Sequence, residues 1–161
     1  MEILNAPQSK ADLDTLLQEV ATSPYIGQLT PEEIEAHIKD HSIGFLYDDN
    51  ELIGFGAWDN IGEDWREIGP FYALNKHRGK RLGAQIVESL IKLNSAKRLY
   101  LVTKNPIVKK LALRLGFHQV NARELPWPIY RHLISRITPS RIIQLVRKLS
   151  FEPVSQYIRT T

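Results

Sequence analysis

The hydrophobic rhythm of this 161-residue chain switches repeatedly between a period of two and a helical period, and that succession confines it to a mixed α/β fold. Residues 43–47, 52–58 and 67–74 are rich in β-branched and aromatic side chains, and Asp48-Asp49-Asn50 supplies a turn between the first two runs. An antiparallel meander is expected there. Leu82, Ile86, Val87, Leu90 and Ile91 then recur at helical spacing. A strand over 98–103 follows, and Ile107, Val108, Leu111, Ala112 and Leu115 form another helix face that Gly116 closes. Residues 117–120 begin a further strand.

The flanks are also readable. Residues 2–5 suit a short opening strand, and Leu13, Leu16, Leu17 and Val20 form one helical stripe. Thr30-Pro31-Glu32-Glu33 places a capping threonine, a proline at the first helical position and a glutamate three residues on, which predicts a short helix through Ile38. After Pro126, Ile129, Tyr130, Leu133, Ile134 and Ile137 are helically spaced. Thr138-Pro139 then predicts a last helix carrying Ile142, Ile143, Val146 and Leu149. The expected organisation is one main domain over 1–126, with a basic, amphipathic two-helix extension over 127–161 packed on it.

Composition removes several function classes. With no cysteine, disulfides, thiolate metal sites and cysteine nucleophiles are excluded. The N-terminus lacks a signal peptide's basic start and apolar run, and no apolar stretch approaches the roughly 20 residues that span a bilayer. A cytoplasmic protein is expected. Residues 1–126 hold 15 Lys and Arg against 17 Asp and Glu, whereas 127–161 hold 6 basic residues against Glu152 alone. Regular apolar spacing in that tail favours a solvated face of packed helices over an electrostatic arm, so neither nucleic acid nor membrane is an expected partner. The apolar face also allows a homodimer.

The segment Asn75-Lys76-His77-Arg78-Gly79-Lys80-Arg81-Leu82-Gly83-Ala84 joins a strand to a helix and is the most informative stretch. A helix N-terminus presents unpaired amides and a positive dipole end, and glycines let phosphate oxygens come close. His77, Arg78, Lys80 and Arg81 add positive charge where an anion would sit. Other motifs do not complete themselves. Gly54-Phe55-Gly56 has Asp59 where a dinucleotide loop needs a third glycine, and no Gly-Lys-Ser/Thr is present. His37 and His41 have helical spacing but lack a glutamate beside the first and an evident third ligand, so no metal is expected.

The loop resembles the coenzyme A signature of the GNAT superfamily, Gln/Arg-x-x-Gly-x-Gly/Ala, with Arg78 first, Gly83 last and Arg81 in place of the central glycine. Arg81 is compatible with this if its φ stays negative. The segment from Asn105 through Gly116-Phe117 is similar to a second part of that superfamily, at matching distance, and the resemblance as a whole covers roughly residues 1–120. The resemblance implies a GNAT fold, with a mainly antiparallel sheet flanked by helices, and acetyl-CoA as donor substrate. It implies cofactor contacts from Phe71, Tyr72, Ala73 and Leu74, from His77, Arg78, Gly79, Lys80, Arg81, Leu82, Gly83 and Ala84, and from Asn105 on the pantetheine arm.

The chemistry implied is direct attack of an amine on the thioester. The amine loses a proton, the leaving thiolate gains one, and a backbone amide on the strand over 67–74 holds the oxyanion. Gly69-Pro70 suits the bulge that family members place in this strand. Glu67 is the general-base candidate, against the alternative of a strand-end carboxylate paired with Arg66 or another surface charge. The family's tyrosine acid falls on Ala112 here; Tyr72 and Tyr100 lie on flanking strands and either is a candidate to replace it, Tyr72 the one assigned, against the alternative of packing residues. Trp58, Asp59, Asp64, Trp65 and Trp127 are candidates for an acceptor pocket, and Glu124-Leu125-Pro126 is similar to the tail of enzymes that acetylate small amino acids and amines. The expected function is acetyl transfer to a primary amine of a small molecule. The alternatives are a non-catalytic acyl-CoA-binding module and a protein or peptide N-acetyltransferase.

Overall fold

The computed structural model describes residues 2–22, 30–79, 81–95, 97–135 and 155–160. Its elements run β1 (Glu2–Leu4), α1 (Lys10–Thr22), α2 (Pro31–Lys39), β2 (Ile43–Asp48), β3 (Glu51–Ile61), β4 (Trp65–Ala73), α3 (Leu82–Leu93), β5 (Arg98–Thr103), α4 (Pro106–Arg114), β6 (His118–Val120), α5 (Trp127–Ser135) and β7 (Ser155–Arg159). The strands make a seven-stranded sheet in the order β1-β2-β3-β4-β5-β7-β6. β1 with β2, β2 with β3, β5 with β7 and β6 with β7 pair antiparallel, while β4 and β5 pair parallel. The result is the expected mixed α/β fold. No helix among the described residues is long and apolar enough to cross a membrane. Two compact units divide the chain, Met1–Asp59 with Ile68–Ser95 and Asn60–Glu67 with Ala96–Thr161.

In the first unit the two faces of the β2–β3 hairpin are built from different residues. Ile43 pairs with Ala57 and Phe45 with Phe55. These side chains join Leu16 and Val20 of α1 and Ile34 of α2 in one buried cluster. On the other face Gly44 pairs with Gly56 and Leu46 with Gly54. A Cβ on Gly56 would stand 2.6 Å from Leu90 Cδ1 and 2.9 Å from Ile86 Cγ2, so α3 rests directly on bare backbone. The Gly54-Phe55-Gly56 sequence is therefore a helix seat. The capping box predicted at the start of α2 is present, formed by Thr30 and Glu33, and Asn105 caps α4; the cap predicted at Thr138 lies outside the described residues.

In the second unit, β4 pairs with β5 from Trp65↔Arg98 to Glu67↔Tyr100. Ile61, Trp65, Tyr100, Ile129 of α5 and Ile158 of β7 form its core. The C-terminal extension differs from expectation. Its first helix is α5, its second, at 138–149, lies outside the described residues, and residues 155–159 are a strand. β7 is short, and Tyr157 and Ile158 are adjacent rather than alternating, so it carries no periodic signal of its own. It acquires strand character from two ladders, with β5 on one side and β6 on the other.

Two predictions follow from these cores. Tyr157 is 2% exposed, and Tyr157→Ala should destabilise the protein by about 3–5 kcal/mol in urea unfolding, the range for truncating a large buried aromatic. An unchanged midpoint would show that β7 is not part of the cooperative core. Tyr47 of β2 is also buried, accepting from the Gln8 amide at 2.8 Å and donating to Asp12 Oδ2 at 3.1 Å. Burial, reinforced by the Asp12 charge, raises its phenol above the ordinary value of 10.0 even though the Gln8 amide opposes this. Above pH 10 the unfolded chain loses this proton first, so Tyr47 should withdraw stability as pH rises from there to its folded pKa. Tyr47→Phe should lessen the fall in melting temperature over that range, and an identical alkaline profile in the two proteins would refute the assignment.

Candidate active site

β4 leaves the sheet at Ala73 and passes through a single 3-10 turn, Asn75–His77, before α3 begins at Leu82. The turn is tied down at both ends. The Asn75 amide donates to Glu19 Oε2 at 2.8 Å, and the His77 amide to the Leu74 carbonyl at 2.9 Å. Arg78 folds back on the strand: its guanidinium lies 5.0 Å from the centre of the Tyr72 ring and donates to the Tyr72 hydroxyl at 2.8 Å. That hydroxyl in turn donates to Asn75 Oδ1 at 3.3 Å. Tyr72 is thus buried and engaged within the loop that was expected to hold phosphate.

Gly79 has φ +93°, and Arg81, the residue before α3, has φ +58° and ψ +19°. The negative φ expected at Arg81 is not adopted. The backbone keeps the left-handed turn that a glycine would favour at the signature's central position, at a local cost for a non-glycine residue of about 1–2 kcal/mol. Arg81 makes no side-chain cap to α3, and its carbonyl accepts from the Ala84 and Gln85 amides. The amides of the first turn, at Leu82 and Gly83, precede the helical ladder and are by geometry the ones a helix presents to an anion. Nothing lies within 4 Å of where a Gly83 Cβ would project. Space, amide dipoles and two arginines therefore fit a phosphate group. His77 Nε2 is buried 3.5 Å from Glu51 Oε2, within ion-pair reach but without a hydrogen bond, while Lys76 bonds Glu51 directly. Lys80 lies outside the described residues.

The second unit holds the other candidates. Glu67, the third residue of β4, is 6% exposed, so it is not a surface carboxylate. Arg66 is not its partner: that guanidinium donates to the Trp65 carbonyl at 2.8 Å and the Gly62 carbonyl at 3.4 Å. Glu67 Oε2 instead lies 3.0 Å from Nε2 of His132 on α5, whose side chain is 18% exposed. Sequence reasoning did not find His132. The signal available was a polar residue on the flank of the apolar stripe of α5, three positions after the fully buried Ile129. Asn105 accepts from the Ile107 amide at 2.9 Å and so serves as the N-cap of α4. Ala112, where the resemblance implies a tyrosine, is 1% exposed and is the buried residue of α4.

The remaining aromatic candidates separate. Trp65 and Tyr100 are core residues, and the Tyr100 hydroxyl donates to Gln156 Oε1 at 3.2 Å. Trp58 is buried in the first unit, whereas Trp127 is exposed and stacks on Tyr130 with ring centres 6.1 Å apart. Asp59 is half-buried and Asp64 exposed. Gly69, with φ +124°, precedes Pro70 through a cis peptide. His41 lies beyond the end of α2, with φ +49°, and His37 Nδ1 bonds Ser42 Oγ at 2.7 Å, so the two histidines do not share a helical face.

A search of curated proteins returns no significant match. Among solved structures, a Mycobacterium tuberculosis protein in complex with CoA matches with a TM-score of 0.71 at 15% identity, over 100% of this chain and 99% of that one. Aminoglycoside 6'-acetyltransferase type Ii matches with a TM-score of 0.64 at 18% identity, over 99% and 97% of the two chains. N-acetylglutamate synthase from Neisseria gonorrhoeae, complexed with coenzyme A and N-acetyl-glutamate, matches with a TM-score of 0.69 at 16% identity over 98% of this chain. The match spans 34% of that synthase, about a third of its length. At these identities the likeness establishes the fold. The family itself rests on sequence: residues 11–117 match the acetyltransferase (GNAT) family, well over half of the chain, and the protein belongs to that family.

Proposed function

We propose that this protein transfers the acetyl group of acetyl-CoA to a primary amine of a small molecule. The observation that carries the reading is the start of α3, where Arg78, the left-handed turn at Arg81 and the open space over Gly83 meet a helix N-terminus. Acetyl-CoA supplies an activated thioester. Its phosphates would lie on the amides of Leu82 and Gly83, beside Ala84, with Arg78, Arg81, His77 and Lys80 lining the loop, and the backbone of residues 71–74 and Asn105 would hold the arm.

In this reading Glu67 takes the ammonium proton of the acceptor, directly or through one water. The free amine attacks the thioester carbon, and a backbone N–H of β4 donates to the oxyanion. The carbon–sulfur bond then breaks, and the thiolate takes a proton from solvent, since the Tyr72 hydroxyl, the candidate acid, is committed to Asn75 and Arg78 in the loop. An amide and free CoA are the products. Burial of Glu67 supports this role, since a carboxylate out of water is held in a defined geometry. The small-amine class is supported by the Glu124-Leu125-Pro126 tail and by two fold neighbours, an N-acetylglutamate synthase bound to N-acetyl-glutamate and an aminoglycoside 6'-acetyltransferase. Cytoplasmic residence fits a donor of this kind.

Micromolar acetyl-CoA should raise the melting temperature, because a ligand that binds only the folded state stabilises it by mass action. Gly83→Trp should remove that shift while leaving the melting temperature without ligand unchanged, since its side chain enters open space. No shift at millimolar acetyl-CoA would sink the phosphate-loop assignment. Against a panel of amines, with free thiol as the readout, Glu67→Gln should lower turnover by roughly 10²–10⁴-fold at unaltered acetyl-CoA affinity. Turnover close to the parent's across pH 6 to 9 would remove Glu67 from the mechanism.

A further inference from the structure

We propose that Glu19 of α1 is a positioning residue for acetyl-CoA, a role that rests on the reading of the loop after β4 as the phosphate site. The backbone of that loop can be followed one amide at a time. The Leu74 amide, one residue past the end of β4, still donates to the Ile53 carbonyl of β3 at 3.0 Å. From His77 onward the turn supplies its own acceptors: the His77 amide reaches the Leu74 carbonyl at 2.9 Å, and the Arg78 amide the Asn75 carbonyl at 3.3 Å. Asn75 opens the 3-10 turn, and the first amides of a helical turn have no partner inside it. A side-chain oxygen at the N-cap ordinarily takes one of them, but the N-cap here is Leu74, which has none to offer. Glu19 Oε2 accepts from the Asn75 amide instead, at 2.8 Å and from 56 positions away.

The geometry of the corner hangs on this bond, because Asn75 is its pivot. The Asn75 amide reaches Glu19, its carbonyl accepts from the Arg78 amide, and its Oδ1 accepts from the Tyr72 hydroxyl, on which the Arg78 guanidinium also lands. Turning Asn75 therefore turns Arg78. Glu19 is firmly based for holding it. It stands in α1 between Leu16 and Val20, which are 0% and 5% exposed in the core of the first unit. An acidic side chain beside a loop that receives phosphate does nothing to attract the ligand. Its benefit is geometric: the acceptor oxygen sets the direction in which the chain leaves β4. A ligand binds more tightly where the receiving groups are already placed, because less ordering is left for the binding step.

The test uses the full chain and two variants, Glu19→Ala, which removes the acceptor, and Glu19→Gln, which keeps an acceptor oxygen without the acid. In calorimetric titration with acetyl-CoA, Glu19→Ala should bind about 10-fold more weakly than the parent, and Glu19→Gln should recover most of the difference. Without ligand, the Asn75 amide should exchange slowly with deuterium in the parent and in Glu19→Gln, and fast in Glu19→Ala. Parental affinity in Glu19→Ala, a Glu19→Gln no better than Glu19→Ala, or an Asn75 amide equally protected in all three would each overturn the positioning role. So would tighter binding in both variants, the mark of a purely electrostatic effect, or a Glu19→Ala protein that is unfolded at 25 °C, which would assign Glu19 to the core. In all of these the parent still binds acetyl-CoA and the phosphate-loop reading stands. A parent that does not bind millimolar acetyl-CoA would overturn that reading and this role with it.

Discussion

The first unit depends on how closely α3 can approach the β2–β3 hairpin. Glycines at 44, 54 and 56 remove side chains from one face, and Ile86 and Leu90 descend to within van der Waals contact of the backbone. Any Cβ at Gly56 would force the helix outward, because its neighbours there are branched side chains already in the core. Close seating has a consequence beyond packing. A helix N-terminus binds an anion well only when its first amides are aimed and immobile. The loop between Ala73 and Leu82 is short, so where α3 rests decides where those amides begin.

The loop itself shows what the seat demands. Gly79 adopts a positive φ at no steric cost, whereas Arg81 adopts one against its preference. A side chain at this position makes sense if its charge is worth more than the strain, and an arginine at a helix start beside an anion is a plain instance of that trade. Arg78 acts on the other side of the turn. By stacking on Tyr72 and bonding its hydroxyl, it ties the loop back to the strand it came from. Strand, loop and helix thus form one braced corner, and the signature sequence reads as the minimum set of residues that builds it.

How much of this was legible follows from where each signal resides. The meander, α3, α4 and the Thr30 capping box are all encoded within a few neighbouring residues, and all are present. The seat was not legible in its glycines, which on their own show only that they do not complete a dinucleotide loop, since the partner that explains them lies about thirty residues downstream. β7 was not legible because its identity comes from Leu99 to Thr103 and His118 to Val120, which flank it in space and not in sequence. The φ of Arg81 went the other way from expectation because side-chain preference is a weak force against a helix already placed by its core. The Glu67–His132 pair spans 65 positions, a separation across which periodicity carries no information.

That pair also bears on why β4 carries a carboxylate at all. An ionised side chain taken out of water is unfavourable, and a buried charged or polar pair is frequently no more stable than an apolar pair of the same volume. Trp65 and Ile68 of the same strand show the apolar alternative, at 3% and 2% exposure. Folding alone would be served equally well by an apolar residue at 67 and another at 132. A glutamate at 6% exposure with an imidazole brought to it from α5 is therefore a local departure from the packing logic of the surrounding core. Departures of that kind are expected where a protein gives up stability for chemistry. The role proposed for Glu67, taking a proton from an amine, would account for a carboxylate kept out of water at this place in the strand.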